Sequence, residues 1–372
     1  MKNQFFKSLA LAGTAAFLAS CGGTKNAETT SAVADSVKFK GQTINLLCWE
    51  GYADEKFTKA FQDKYGVTVK GTYFGTEDEM ISKLQADKGS GAYDLVSPSC
   101  DFAGYLVEAG LVESIDTTKI SQWSNLSSKL RGMMDVRKDG AVYGLPFTWG
   151  PDYLIYNADI IKEEPKSWRI LWDTKYKGKV SVPDDIVNIY TTALVLGMDK
   201  TDKSVPYNMT EAQLLTAKAE LAKLQPNVRK YWATAGELDN MFKNKEVALA
   251  LGWPLTVNTL KGEGMNIKAV IPQEGATGWI DRLMVVKGSK NKELAELWLN
   301  YISQSENMAK VAEVTTYSVA NPGAAQFMSE ALKKSTYAGN EDFYFEKLNW
   351  WQFAKDRKRY NEIWNEVKGG TK

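Results

Sequence analysis

The 372-residue chain has no histidine, and that absence alone removes several kinds of chemistry. Histidine is the usual zinc ligand, the base beside serine and cysteine nucleophiles, and the commonest proton shuttle. Cysteine is nearly absent too, with Cys21, Cys48 and Cys100 the only three. No excess of one charge exists: 46 basic residues face 45 acidic ones. With the leader lysines Lys2 and Lys7 discounted, the balance is about −1, which gives no field to draw nucleic acid. The one marked apolar run, Leu9 to Leu18, is too short to span a bilayer as a permanent helix. No metal, cofactor or nucleic-acid partner is expected. What remains is carboxylate chemistry and an abundance of tryptophan, twelve residues in all.

The N-terminus reads as an export signal. Lysines precede the apolar run, and small residues lead to a cysteine, the pattern of a cleaved leader over residues 1–20. Leu18-Ala19-Ser20-Cys21 resembles the lipobox of bacterial lipoproteins, which implies acylation of Cys21. Residues 21–40 are small, polar and charged without apolar periodicity, and read as a flexible tether. The protein is expected on the outer side of a bacterial membrane, lipid-anchored.

About 330 mature residues exceed one comfortable core, so two lobes are expected. Strands and helices alternate from the start. Ile44 to Cys48 reads as a strand, Phe57 and Phe61 mark a helix capped by Gly66, and Thr76 to Glu79 forms a capping box for the next. Tyr93 to Val96 reads as a third strand. This alternation predicts an α/β fold, and ligands of such sheets sit beyond the carboxyl ends of the strands. Pro146 to Pro151 reads as a crossing segment. The boundaries read as 41–148 with 281–325 for one lobe and 149–280 with 326–372 for the other. Residues 221–232 read as a helix giving way to loop.

At several expected strand ends an aromatic residue stands beside an acid. Trp49-Glu50-Gly51-Tyr52 closes the first strand, Ser99-Cys100-Asp101 follows the third, and Pro183-Asp184-Asp185 ends another. Gly252-Trp253 and Gly278-Trp279-Ile280-Asp281 complete the set, and strand alternation puts Trp279 and Asp281 on one face. An indole beside a carboxylate offers a cation–π face and a point charge to an ammonium group.

In order and spacing these landmarks, with Trp149-Gly150, Tyr317 and Trp351-Gln352, resemble the periplasmic spermidine/putrescine-binding proteins of ABC importers, from Ile44 to about Trp364. The resemblance implies a two-lobed type II periplasmic-binding-protein fold, each lobe a mostly parallel sheet flanked by helices, with a hinge of crossing strands. It implies no catalysis, a polyamine ligand, a permease partner and a monomer. Trp49, Tyr52, Trp253, Trp279 and Tyr317 would line the slot, Asp185 and Asp281 would hold ammonium groups, and Ser99 and Gln352 would hydrogen-bond.

Three positions depart from the family pattern. The acid of the first motif is Glu50, one place early; Asn188 stands where spermidine binders carry a glutamate; and Asp101 stands where tyrosine is frequent. Losing one acid favours a diamine, but Glu50 and Asp101 can restore a third charge, so spermidine is expected to be accepted together with putrescine. Two alternatives stand beside this reading. One is another cationic ligand, such as thiamine, a quaternary amine or a basic amino acid. The other is a secreted glycosidase using Asp185 and Asp281 as acid and base. Cys48 and Cys100 are expected near one another but unbonded.

Overall fold

A computed structural model of the chain describes residues 37–370. The leader, most of the tether and Cys21 lie outside the described residues. The folded unit begins a little before the expected limit, since residues 37–39 form a helical turn and Phe39 is buried in the core. Among the described residues no helix is long and apolar enough to cross a membrane.

The first lobe starts as the apolar pattern predicts. Strand β1 (Thr43–Cys48) pairs in parallel with β2 (Thr68–Tyr73) and β3 (Leu95–Val96). Helix α1 (Glu55–Tyr65) joins the first two, burying Phe57 and Phe61 and ending at Gly66. Helix α2 (Glu77–Asp87) joins the next two and is half of the expected capping box. The Thr76 hydroxyl accepts from the Glu79 N–H, but the Glu79 carboxylate takes the Gly75 N–H instead of that of Thr76. Helix α3 (Cys100–Glu108) follows β3.

Beyond β4 (Val112–Glu113), β5 (Gly144–Pro151) leaves the first lobe and runs, after one residue, into β6 (Tyr153–Asn157) of the second. The second sheet has the order β8-β7-β9-β6-β10, with β7 (Val180–Pro183), β8 (Val228–Trp232), β9 (Leu249–Gly252) and β10 (Ile267–Val270). Residues 228–232, read from the sequence as loop, are therefore a strand. Their charged Arg229 and Lys230 disguise an edge strand that pairs on one side only. Helix α4 (Val187–Val195), buried along its whole length, follows β7, and α5 (Glu211–Leu224) packs outside it. Helices α6 (Ala235–Lys243) and α7 (Pro254–Gly262) follow β8 and β9.

The chain returns through β11 (Thr277–Val286), whose ten residues are all buried. It lies antiparallel between β5 and β3 in the first sheet. Helices α8 (Lys292–Ile302) and α9 (Ser305–Thr315) cover that sheet, and α8 buries Leu294, Trp298, Leu299 and Ile302. Strand β12 (Ser318–Val319) pairs with β5, and β13 (Asn349–Trp350) pairs with β11. Helix α12 (Arg357–Lys368) then docks on the second lobe, burying Tyr360, Ile363, Trp364 and Val367. Its Tyr360 hydroxyl accepts from the Met209 N–H.

The expected sheets need one correction. Parallel ladders hold β1, β2 and β3 together, and β7 to its neighbours, but the remaining pairings are mostly antiparallel. The physical reason is the crossing. A strand that enters a lobe from its partner runs against the local βα direction, so β11 is reversed in the first sheet and β6 in the second. Cys48 and Cys100 are both buried and unbonded, as expected.

The lobes lie against one another. The Trp49 and Trp253 rings meet edge to face with centroids 5.6 Å apart, and the Glu50 carboxylate accepts from the Gly236 N–H at 3.3 Å. Gly75 is the tightest such contact: a Cβ there would lie 2.3 Å from the Ala233 carbonyl oxygen of the opposite lobe. Its φ is unremarkable, so alanine strains nothing until the lobes meet. Gly75→Ala should fold with a near-native thermal midpoint, yet weaken ligand-driven closure by about 1–3 kcal/mol, the usual cost of an added methyl at a packed contact. Small-angle scattering with saturating ligand should show it more extended than wild type; superimposable curves would rule out Gly75 as a closure contact.

Candidate ligand-binding site

The carboxyl ends of β1, β3, β7 and β9 converge between the lobes, and each delivers an aromatic or acidic residue there. Beyond β1 come Trp49 and Glu50; beyond β3, Ser99 and Asp101; beyond β7, Asp185; beyond β9, Trp253. From the crossing strand β11 come Trp279 and Asp281. A break in the β5–β11 register between Ile280 and Arg282 falls on Asp281, which bridges instead to Ser99. The extra residue lies on β5, where Phe147 and Thr148 stand opposite Asp281 alone. Gly150 on β5 faces Trp279, and a Cβ there would stand 2.7 Å from the indole ring. Glycine is thus what lets the indole lie flat against the crossing strand.

Two small adjoining chambers result. The first is lined by Trp49, Glu50, Ser99, Trp253, Trp279, Asp281, Tyr317 and Trp351. The second shares Trp49, Trp253 and Trp351 and adds Glu77, Asp101, Asp185, Tyr190 and Arg357. Each has a volume of about 20 Å3, room for little more than one water, so any solute enters only when the lobes part. A larger cleft of about 940 Å3 lies between α7, α9 and residues 327–337. Its acids are partnered, Glu306 by Lys310 and Glu313 by Lys56, so it offers no uncompensated negative charge to a cation.

The chambers are the reverse. Asp281 is buried and accepts from the Ser99 hydroxyl at 2.6 Å and from the Tyr52 hydroxyl, which also bonds Thr148. The first acid of α2, Glu77, turns inward and accepts from the Ser99 N–H at 2.7 Å, leaving its second oxygen unpartnered. Asp101 and Asp152 are buried with one oxygen each unpartnered, and so are the indole nitrogens of Trp49, Trp279 and Trp351. Asp185 accepts from the Val187 N–H at the start of α4. Against Glu77, Asp101, Asp152, Asp185 and Asp281 stands, among the described residues, one cation lining the slot, Arg357, 3.8 Å from Asp101.

The profile of the bacterial extracellular solute-binding protein family matches residues 56–339, most of the chain. The chain belongs to this family. It is 28% identical over 339 residues to the spermidine/putrescine-binding periplasmic protein of Escherichia coli K12, an alignment covering 88% of this chain and 92% of that one. The fold is similar to a solved putative spermidine/putrescine ABC transporter from Listeria monocytogenes, with a TM-score of 0.77, 21% identity and coverage of 88% and 98%. It is also similar to the TpPotD lipoprotein of Treponema pallidum, with a TM-score of 0.75, 22% identity and coverage of 88% and 99%. The two-lobed periplasmic-binding-protein architecture is therefore that of this chain. A hydrolase using Asp185 and Asp281 is set aside, because the family binds solutes outside the cell and does not transform them.

In this solute-binding protein the slot gathers Trp49, Glu50, Ser99, Asp101, Asp185, Trp253, Trp279, Asp281 and Tyr317, all singled out from the sequence. Three others stand back from it. Tyr52 lies behind Asp281 and orients it. The Asn188 amide donates to the Pro183 and Asp185 carbonyls at 2.7 Å each, so it shapes the turn that presents Asp185. Gln352 is exposed, while its neighbour Trp351 turns inward. The backbone sets that choice: the Trp351 N–H continues the β13 ladder to the Gly278 carbonyl, and alternation then sends the next side chain out. Glu77, Asp152, Tyr190, Trp351 and Arg357 were not legible as site residues.

Electrostatics express the missing counter-charge. Burial pushes the Asp281 carboxyl up to about 7, only partly offset by its hydroxyl donors. Burial likewise raises Asp152 to about 7, against the opposing Thr277 hydroxyl, lifts Glu77 well above its ordinary value and raises Asp185 from its own, with Arg357 opposing in both. Asp101 is also raised by burial, with Arg357 opposing. The sign of the linkage follows. A carboxyl raised by folding adds stability fully present below its unfolded value near 4 and lost as pH rises through the folded one. The closed form without ligand should therefore be more stable at about pH 5 than at about pH 8. An alkylammonium stays charged across that range, so the stabilisation it adds should grow from the lower pH to the higher. Calorimetric melts with and without a diamine would show this divergence; parallel pH profiles would contradict it.

Proposed function

We propose that this lipoprotein captures a linear polyamine, putrescine and/or spermidine, between its lobes (41–148 with 281–325, and 149–280 with 326–372) and presents it to a membrane permease. One observation carries the reading: buried carboxylates outnumber the cations at the slot, between walls of tryptophan. An apolar ligand leaves those charges unpaired at a cost of several kcal/mol each, and an anion worsens the imbalance. A flexible alkyl chain with separated ammonium groups meets both needs. Its carbons lie against Trp49, Trp253, Trp279 and Tyr317, and its charged ends reach Asp281 and the remaining acids. Each cation–aromatic contact contributes about 0.5–2 kcal/mol. The resemblance in names supports the same class of solute, since the Escherichia coli relative is a spermidine/putrescine-binding protein. Thiamine and quaternary amines carry a charge that cannot donate hydrogen bonds to paired carboxylates, which ranks them behind primary amines.

A thermal-shift series with putrescine, spermidine, thiamine, arginine and glycine betaine tests the ligand class, because a ligand of the closed form raises the melting temperature by mass action. The linear amines should give the largest shifts, and Asp281→Asn should weaken them by about 2 kcal/mol or more. Larger shifts from thiamine or betaine would overturn the reading.

The anchor is a separate element of the proposal. Acylation of Cys21 would hold a monomeric receptor at the membrane through residues 21–40, and Cys21→Ala should move the protein to the soluble fraction. Unchanged fractionation would remove the anchor and leave the binding function intact.

A further inference from the structure

Arg357 belongs to two cavities at once. From the inside it lines the second chamber with Glu77, Asp101, Asp185 and Tyr190. From the outside it lines a surface cleft with Asp78, Phe102, Phe353 and Asn361. No other residue lines both. Its guanidinium lies 4.1 Å from the centre of the Phe102 ring and hydrogen-bonds Asp78 at 3.3 and 3.4 Å, while Asn361 holds Asp78 from the other side at 3.2 Å. Two lobes are thereby joined, since Asp78 starts α2 and Arg357 starts α12. The contact to Asp101 is long, 3.8 Å, and the other Asp101 oxygen has no partner.

We propose that Arg357 is the end stop of the slot: a resident cation that occupies the outermost charge position and makes the site selective for a diamine over a longer triamine. The inference rests on the polyamine reading and deepens it. A ligand ammonium that reaches Asp101 and Asp185 neutralises them from within the chamber. An alkyl chain continuing past them to a further ammonium meets a fixed guanidinium, packed on Phe102 and pinned by Asp78, where like charges repel in a poorly solvated space. The neutral Asn188 is consistent with this, because it brings no negative charge for another cation, and its side-chain NH2 donates to the Pro183 and Asp185 carbonyls. Spermidine, expected from the charge count in the sequence to be accepted together with putrescine, is thus placed second. Glu50 and Asp101 were counted there without the guanidinium that offsets one of them.

Calorimetry with putrescine and spermidine on wild type, Arg357→Gln and Arg357→Lys tests the assignment. Wild type should bind putrescine at least about tenfold more tightly than spermidine. Arg357→Gln should shift that ratio at least about tenfold towards spermidine, and Arg357→Lys, which keeps the charge, should hold the wild-type preference. A ratio that the glutamine variant leaves unchanged, or wild type that prefers spermidine, overturns the proposal. The wild-type ratio decides even where the glutamine variant fails to fold. Tighter binding of 4-aminobutyrate than of putrescine, lost in Arg357→Gln, would mean that the guanidinium receives a ligand carboxylate, and would also overturn it. Wild type that binds neither amine refutes the polyamine reading itself, an outcome distinct from an altered ratio.

Discussion

Closing the two lobes places Glu77, Asp101, Asp152 and Asp281 out of water, and Asp185 partly so, around a single guanidinium, and the rest of the molecule is arranged about that imbalance. Burying an unpaired ion costs several kcal/mol, and the internal donors at hand, the Ser99 and Tyr52 hydroxyls and a few backbone N–H groups, soften that cost without cancelling it. Closure without a cation is therefore unfavourable, and a bound cation tips the balance. Selectivity and motion come from one source, because the charge that recognises the solute is the charge that resists closure in its absence. This is a population shift driven by the ligand's differential affinity for one state.

The fold supplies the positions. Strand ends in an α/β sheet leave backbone donors and short loops at one edge, and here two such edges face each other. Crossing strands β5 and β11 tie them, and β11 carries Trp279 and Asp281 at the junction itself. Rigid neighbours hold both residues. Gly150 yields room for the indole, and the extra residue of β5 opposite Asp281 leaves Asp281 to bridge to Ser99. The site is consequently stiff within each lobe and adjustable only between them, as hinge closure requires.

Much of this could be read from the sequence because it is local. Aromatic–acid pairs at expected strand ends located Trp49, Trp253, Trp279 and Asp281, since strand direction alone fixes which end faces the cleft. The residues that escaped are those whose role depends on distant packing. Glu77 looks like an ordinary acid at a helix start, a position where such residues stabilise the helix dipole, yet it turns inward to the Ser99 N–H. Arg357 lies in a charged helix whose exposed face hides one inward cation. Gln352 and Trp351 differ by one place, and only the pairing of β13 with β11 decides which points inward. Residues 228–232 failed as a strand for a related reason, because an edge strand carries its charges openly.

The central claim is that paired charges, more than the apolar chain between them, hold the solute. Titration calorimetry of putrescine against n-butylamine isolates that claim, since the two share a four-carbon chain and differ by one ammonium group. The account predicts that butylamine binds at least about a hundredfold more weakly, in keeping with the loss of one buried charge pair. Comparable affinities for the two amines would contradict it, and would place recognition in the tryptophan walls alone.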